Sequence, residues 1–463
     1  MSAEETVRLD RKHLWHPFTP NSVWMDPAFH PVSIVAGEGS WLMDAQGKRY
    51  LDGNSSIWTN LHGHRHPTLD EAIRSQLGKI AHSSFLGLTH EPAARLAEEL
   101  VAYVREGNPS PLLSRVFFSD DGSTAMEAGL KMIVQSFAQT GQGQRTQFIS
   151  PEGAYHGDTV GAMSLGKSDL FHRHYQPLLF PSRRVMTPFC YRCRFNRAKP
   201  ENADARSYRQ CGFECATQAE EEINRVGDRL AAWVLEPRVQ GAAGMVMHPE
   251  GYAKRTCSAA HQVGAKVLLD EVLTAFGRTG PALSAHAEGV PADVIALAKG
   301  LSGGYLPLAA TLATEEIFQA FDGPIENTFF HGHSYTANAL GCAAARASLR
   351  LLRDPEEKRR RETLQQNLRE LSQAFWKHPN VGDVRQEGTI LAVEIVAERS
   401  SRKPFPAAER RGVRICQTAR DFGLLTRPIG DVLVLMPPYS TTAEELEQMV
   451  TALQKAIAKE LPQ

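Results

Sequence analysis

Two apolar runs, each ending in a charged residue, constrain this chain more than any other feature. Val267-Leu-Leu269 runs into Asp270, and Val294-Ile-Ala-Leu-Ala298 runs into Lys299. Uninterrupted runs of this kind suit strands covered on both faces, as in parallel sheets. In an open α/β sheet, ligands bind beyond the carboxyl ends of the strands. The expected fold therefore presents an acid and a lysine at one crevice. Taken singly, Asp270 reads equally well as a helix N-cap and Lys299 as a surface lysine that keeps its head in water. The two together, in glycine-rich surroundings, read as a pair.

Further strand-like runs occur at 115–118, 147–149, 231–235 and 308–312, and segments with apolar residues at helical spacing lie between several of them. Residues 92–101 show the same helical spacing ahead of the first strand. This pattern predicts an α/β fold with a large doubly wound, mixed but mostly parallel sheet. The C-terminal part reads as a smaller α+β domain. Pro355 should end a helix after Leu351-Leu352, because proline disfavours helical geometry in the residue before it. A charged helix then runs to Phe375, and Thr442-Ala-Glu-Glu445 should open a last amphipathic helix. The expected division is 1–65 (part of the small domain and a substrate segment), 66–332 (large domain, with a cysteine-bearing insertion at about 186–218) and 333–463 (small domain).

A chain of 463 residues with 42% hydrophobic and 22% charged residues supports an ordinary buried core. Its net charge of −1 argues for neither nucleic acid nor an anionic membrane as partner. No apolar run reaches membrane-spanning length, and the charged start lacks a signal-peptide core. A soluble cytoplasmic protein is the expectation.

An aspartate and a lysine at one crevice are what pyridoxal 5'-phosphate (PLP) chemistry requires. The lysine holds the aldehyde as a Schiff base, and the aspartate keeps the pyridine nitrogen protonated. Burial and a neighbouring cationic ring would push the lysine toward its neutral, nucleophilic form. Phosphate binding needs backbone N–H groups and hydroxyls at a helix start. Ser119-Asp-Asp-Gly-Ser-Thr124 offers these after a strand, with Gly122 for a tight turn and Ser123 and Thr124 as donors. Tyr155 could stack on the ring or sit in the core. Glu236 and Gln240 should face the same crevice, although Glu236 could instead cap the following turn.

The ordered set Asp120-Asp-Gly-Ser123, Tyr155-His-Gly157, Glu236-Pro237, Asp270-Glu271, Phe276-Gly-Arg278 and Lys299-Gly300 resembles the class III aminotransferases of PLP fold type I over nearly the whole chain. The resemblance implies a homodimer with active sites at the subunit interface. It makes Lys299 the Schiff-base lysine, Asp270 the pyridinium partner and Tyr155 the stacking residue. Gly122 and Ser123 would hold the phosphate. Ser334, in His331-Gly-His-Ser-Tyr335, stands where the family often uses threonine to reach the neighbouring subunit's phosphate, and Gly332 joins the substrate site.

Four more segments resemble the biotin-pathway branch, which converts 8-amino-7-oxononanoate (KAPA) to 7,8-diaminononanoate: 13–19, 52–58 with 61–64, 426–430 and 435–439. That substrate has an apolar chain ending in a carboxylate. Trp58 and Arg427 match the positions that supply an aromatic wall and a distant cation, and arginine suits a bidentate grip on a carboxylate. Phe18 replaces a tyrosine found in many members, so one substrate hydrogen bond is absent. Gly303-Gly-Tyr-Leu-Pro307 and the 331–335 segment look more like the branch that takes its amine from lysine than the commoner one that uses S-adenosylmethionine. Another ω-amino acid or diamine aminotransferase of the same fold is the alternative.

Cys190-Tyr-Arg-Cys193 and Cys211-Gly-Phe-Glu-Cys215 form two close pairs. Their spacing suits a tetrahedral structural zinc site. It equally suits a surface loop with reduced or redox-sensitive thiols.

Overall fold

The apolar runs of the sequence lie side by side in a seven-stranded sheet. A computed structural model describes residues 2–106, 113–166 and 169–462. The strand order is Leu113–Ser119, Ala309–Thr314, Val294–Leu297, Lys266–Asp270, Leu230–Leu235, Gln147–Pro151 and Arg183–Val185. Ala309–Thr314 runs antiparallel to both of its neighbours, and the other pairings in this sheet are parallel. The sheet is thus mixed but mostly parallel. Leu268 lies opposite Val294 and Asp270 opposite Ala296, so both strands deliver their charged ends to the same edge. Arg183–Val185 escaped the sequence reading because three residues, two of them arginine, carry no apolar period.

The central strands are fully buried, as expected for a sheet covered on both faces. On one side the helix Gly122–Gln139 sets Met126, Ile133 and Phe137 in one cluster with Leu268 and Val294. Asp354 does double duty at the predicted break. It ends the helix Ala339–Arg353 and N-caps Pro355–Ser372, its carboxylate accepting from Glu356 and Glu357 N–H. Thr442 and Glu445 form the expected reciprocal cap of Ala443–Glu460.

Two smaller sheets flank this body. Ile34–Glu38, Trp41–Asp44 and Arg49–Asp52 are joined by Leu424–Leu425 from the far end of the chain, with Leu51 beside Leu424 and Asp52 beside Leu425. The other is ordered Val381–Glu387, Ile390–Ile395, Val432–Leu435 and Pro428–Ile429. Among the described residues no helix is long and apolar enough to cross a membrane.

The cysteine-bearing stretch is more than a surface loop. Arg192 pairs with Glu394, Arg206 with Glu387, and Cys190, Tyr191 and Ala205 pack on Val396, all on or beside the 381–395 hairpin. Cys190, Cys193, Cys211 and Cys215 line one small cavity. All four are free thiols, and burial pushes Cys190 and Cys215 up to about 12. Among the described residues no group of three or more His, Cys, Asp or Glu is arranged to hold a metal ion, so the geometry lends the zinc expectation no support.

Candidate active site

A cavity of about 750 Å³ opens at the carboxyl edge of the large sheet, and Trp58, Gly122, Ser123, Tyr155, Glu236, Asp270 and Lys299 all line it. Asp270 is the last residue of its strand. Its carboxylate is buried, with Oδ2 2.8 Å from His156 Nδ1 and Oδ1 accepting from Val272 N–H at 3.0 Å. Lys299 opens a short 3-10 turn with φ +45°, a left-handed geometry that redirects the chain just past the strand. Burial pushes its ammonium below the usual lysine range, while Asp270 and Glu236 pull it back. Its Nζ sits 4.9 Å from the centroid of the Trp58 ring.

Asp121 caps the helix Gly122–Gln139, its carboxylate accepting from Thr124 N–H at 3.0 Å while the Thr124 hydroxyl receives Asp121 N–H at 3.2 Å. Thr124 is therefore spent on the cap. Ser123 Oγ lies 2.8 Å from Thr159 Oγ1 and accepts from Thr159 N–H at 2.9 Å. Gly122 is required for a reason other than the predicted turn. Its φ is not positive, but a Cβ there would lie 2.7 Å from Val272 Cγ1. The left-handed glycine is Gly157, at φ +112°, where a Cβ would come within 2.4 Å of Ser123 Cβ. The Tyr155-His156-Gly157 loop can thus close down on the helix start. Neither His156 nor Gly157 carries a role that the sequence alone makes evident.

Tyr155 donates its hydroxyl to Asp158 at 2.7 Å, and its N–H to Glu236 at 3.1 Å. Burial is the main force pushing its phenol above the ordinary range. Glu236 also accepts Gly241 N–H at 2.9 Å, so it both caps the turn and faces the cavity. Burial pushes it up to about 7. Gln240 does not face the crevice, because its amide donates to Glu152 O at 3.0 Å, away from the cavity lining. Glu271 braces the loop that follows, accepting Thr274 Oγ1, Ser284 N–H and Ala285 N–H. Buried Arg278 ties two distant carbonyls, Pro437 O and Asn60 O, each at 2.9 Å.

Three further predicted residues lie outside this lining. Gly332 and Ser334 are exposed, near the mouth, where their neighbour His333 stands 3.4 Å from Asp120. Arg427 is exposed and, among the described residues, reaches only Phe18 O, at 3.5 Å. The loop Gly304-Tyr-Leu-Pro307, by contrast, lines the cavity.

The residues present fit a planar phosphorylated pyridine aldehyde. There is an anion beside a fixed imidazole for the ring nitrogen, a helix start for the phosphate and a lysine with depressed basicity for the aldehyde. Comparison with known proteins agrees. The enzyme named adenosylmethionine-8-amino-7-oxononanoate aminotransferase in Geobacter sulfurreducens is 44% identical over 450 residues, covering 97% of this chain and 96% of that one. The crystal structure of the enzyme of that name from Methanocaldococcus jannaschii superposes with a TM-score of 0.90 at 34% identity, over 98% of this chain and 99% of that one. A PLP-bound amine transaminase from an uncultivated Pseudomonas species gives 0.87 at 32%, over 96% and 98%. The family model for class-III aminotransferases matches residues 23–457. A match over almost the whole length, on a PLP fold type I architecture, means that this chain belongs to the class-III aminotransferases.

Proposed function

We propose that this chain binds PLP in the 750 Å³ cavity and transfers an amino group to KAPA, giving 7,8-diaminononanoate for biotin biosynthesis, with S-adenosylmethionine or lysine as donor. The observation that carries the reading is the convergence of Asp270, Lys299 and Trp58 on one cavity. The full-length relatives that bear this enzyme's name support the choice of substrate.

When bound, PLP supplies an electrophilic aldehyde and an electron sink. The protein does the rest. Asp270, held by His156 and the Val272 N–H, would set its carboxylate beside the ring nitrogen. Gly122 and Ser123 present the helix start to the phosphate, and Tyr155, its hydroxyl fixed by Asp158, offers its ring as a stacking face. Lys299 Nζ, eased toward the neutral amine by burial, would carry the proton from the donor's amine-bearing carbon to the cofactor's aldehyde carbon, and in the second half-reaction would carry a proton from there to the ketone carbon of KAPA. Trp58 walls the acceptor's apolar chain. Arg427, exposed and in contact with Phe18 O, would grip the distant carboxylate.

Gly332 and Ser334 are assigned to the site of a second copy in a homodimer. Leu86, Phe330 and Tyr335, 89%, 74% and 58% exposed, give that copy an apolar surface to cover.

The test follows the visible absorbance of the bound cofactor. Loss of the band with S-adenosylmethionine or lysine, and its return with KAPA, is the expected result and identifies the donor. Bleaching by ω-amines or diamines alone would transfer the protein to another branch of the family.

A further inference from the structure

The chain between Asp52 and Trp58 does something costly for ordinary residues. Ser55, Ser56, Ile57 and Trp58 have φ of +45°, +48°, +63° and +70°, four consecutive left-handed positions without a glycine. L-residues visit this region singly and at an energetic penalty, so a run of four persists only where its surroundings over-determine it. The surroundings are specific. Asp52 Oδ1 accepts Ser56 N–H at 2.9 Å and Oδ2 accepts the Ser56 hydroxyl at 2.7 Å. His64 Nε2 lies 3.0 Å from the same Oδ2. Behind the turn, the Ser55 hydroxyl donates to Met436 O at 2.6 Å.

The anchors are themselves fixed. Asp52 is 3% exposed, at the end of a strand paired with Leu425. His64 exchanges both backbone hydrogen bonds with Gly39, at 2.8 and 3.0 Å. Its ring presses on Gly37 so closely that a Cβ there would lie 2.9 Å from His64 Cγ. At the other end of the turn the Trp58 ring stands 4.9 Å from Lys299 Nζ.

We infer that Asp52 and His64 are positioning residues for the acceptor site: they clamp the left-handed turn and thereby hold Trp58 over Lys299. The inference rests on the reading of Trp58 as the acceptor's wall. Neither residue lines the cavity: Asp52 acts through Ser56, and His64 acts through Asp52. With the clamp broken, the turn relaxes toward the right-handed region and the indole leaves its place. The acceptor then binds worse, while the donor half-reaction at Lys299 proceeds.

Holoenzyme variants Asp52→Asn, Ser56→Ala and Trp58→Ala are compared with the parent by steady-state kinetics and by the donor-driven absorbance change. Ser56 and Ile57 are exposed, so the milder variants fold even if Asp52→Asn does not. All three should raise KM for KAPA by about tenfold or more, and in Asp52→Asn and Ser56→Ala kcat and the donor-driven change should be altered far less. A glycine at 57 accepts the left-handed geometry freely, so Ile57→Gly added to Ser56→Ala or Asp52→Asn should bring KM most of the way back. A raised KM in Trp58→Ala with no change in Ser56→Ala or Asp52→Asn would overturn the clamp. So would a parallel fall of kcat and the donor half-reaction without glycine rescue, which marks a purely structural role. An unchanged KM in Trp58→Ala would instead remove the acceptor-wall reading itself.

Discussion

His156 Nδ1 and Asp270 Oδ2 stand 2.8 Å apart, both side chains shut off from solvent, although 114 positions separate them in the chain. The imidazole fixes which way the carboxylate faces. Replacing His156 with alanine leaves a buried carboxylate short of a partner, a loss of about 1–3 kcal/mol. The expected outcome is a fall of roughly tenfold or more in the single-turnover rate of the donor half-reaction. An unchanged rate would remove His156 from the machinery.

Lys299→Ala should retain the fold and lose at least about 10²–10⁴-fold in transamination, the usual worth of a positioned acid–base group. Turnover in the variant measured over hours, with mass-spectrometric detection of product, checks this. Activity near the parent level would refute the proposed role.

Gly157→Ala places a methyl group 2.4 Å from Ser123 Cβ, on a backbone with φ of +112°. The loop must back away from the helix start, and PLP affinity should drop by about tenfold or more, at about 1–3 kcal/mol for the strained position alone. Equilibrium dialysis of the cofactor against apoenzyme measures the change. The same substitution at Gly289, where nothing lies within 4 Å of a Cβ, is the control for left-handed strain without the clash.

Arg278→Met removes the donor shared by Pro437 O and Asn60 O and leaves two carbonyls without it. A loss of about 2–4 kcal/mol of stability is expected. Urea unfolding gives the number, and a loss below about 0.5 kcal/mol, the range of an inert surface change, would contradict the bridging role.

His62 and His248 are buried, and burial pushes each down to about 3. Their folded values lie below the unfolded 6.5, so the stability they contribute is complete above pH 6.5 and is lost as pH falls from there toward 3. At pH 5 each should cost about 2 kcal/mol. Comparing urea midpoints at pH 7 and pH 5 for the parent and for His62→Gln tests this, glutamine retaining a partner for Ser348. An identical drop in both proteins would show that His62 is not responsible.

The large sheet was legible because its strands are buried on both faces, and a run such as Val267-Leu-Leu269 has no solvent face to interrupt it. The cap of the last helix was legible too, since Thr442 acts on an N–H group three residues away. What escaped was non-local. Nothing near His156 in sequence points to Asp270, and the need for glycine at 157 arises from Ser123, on another element. Gly122 was picked out for the wrong reason, because a sequence shows that a glycine is present but not whether rotation or space demands it. Gln240 was placed in the crevice on strand polarity, whereas the chain turns it toward Glu152 O. The four cysteines do meet at one cavity, yet spacing alone could not say how their sulfurs would be arranged.

The hydrogen bond from Ser55 to Met436 spans 381 positions, and Leu51 pairs with Leu424 in the same region. Contacts this distant in sequence close late in folding, after nearer ones have formed. During synthesis the tryptophan that faces the lysine emerges long before the segment that seats its turn. The ribosome can therefore release a chain with its central sheet already formed and its reaction chamber still unassembled, and nascent chains that stop before Leu424 should be compact but unable to turn over substrate.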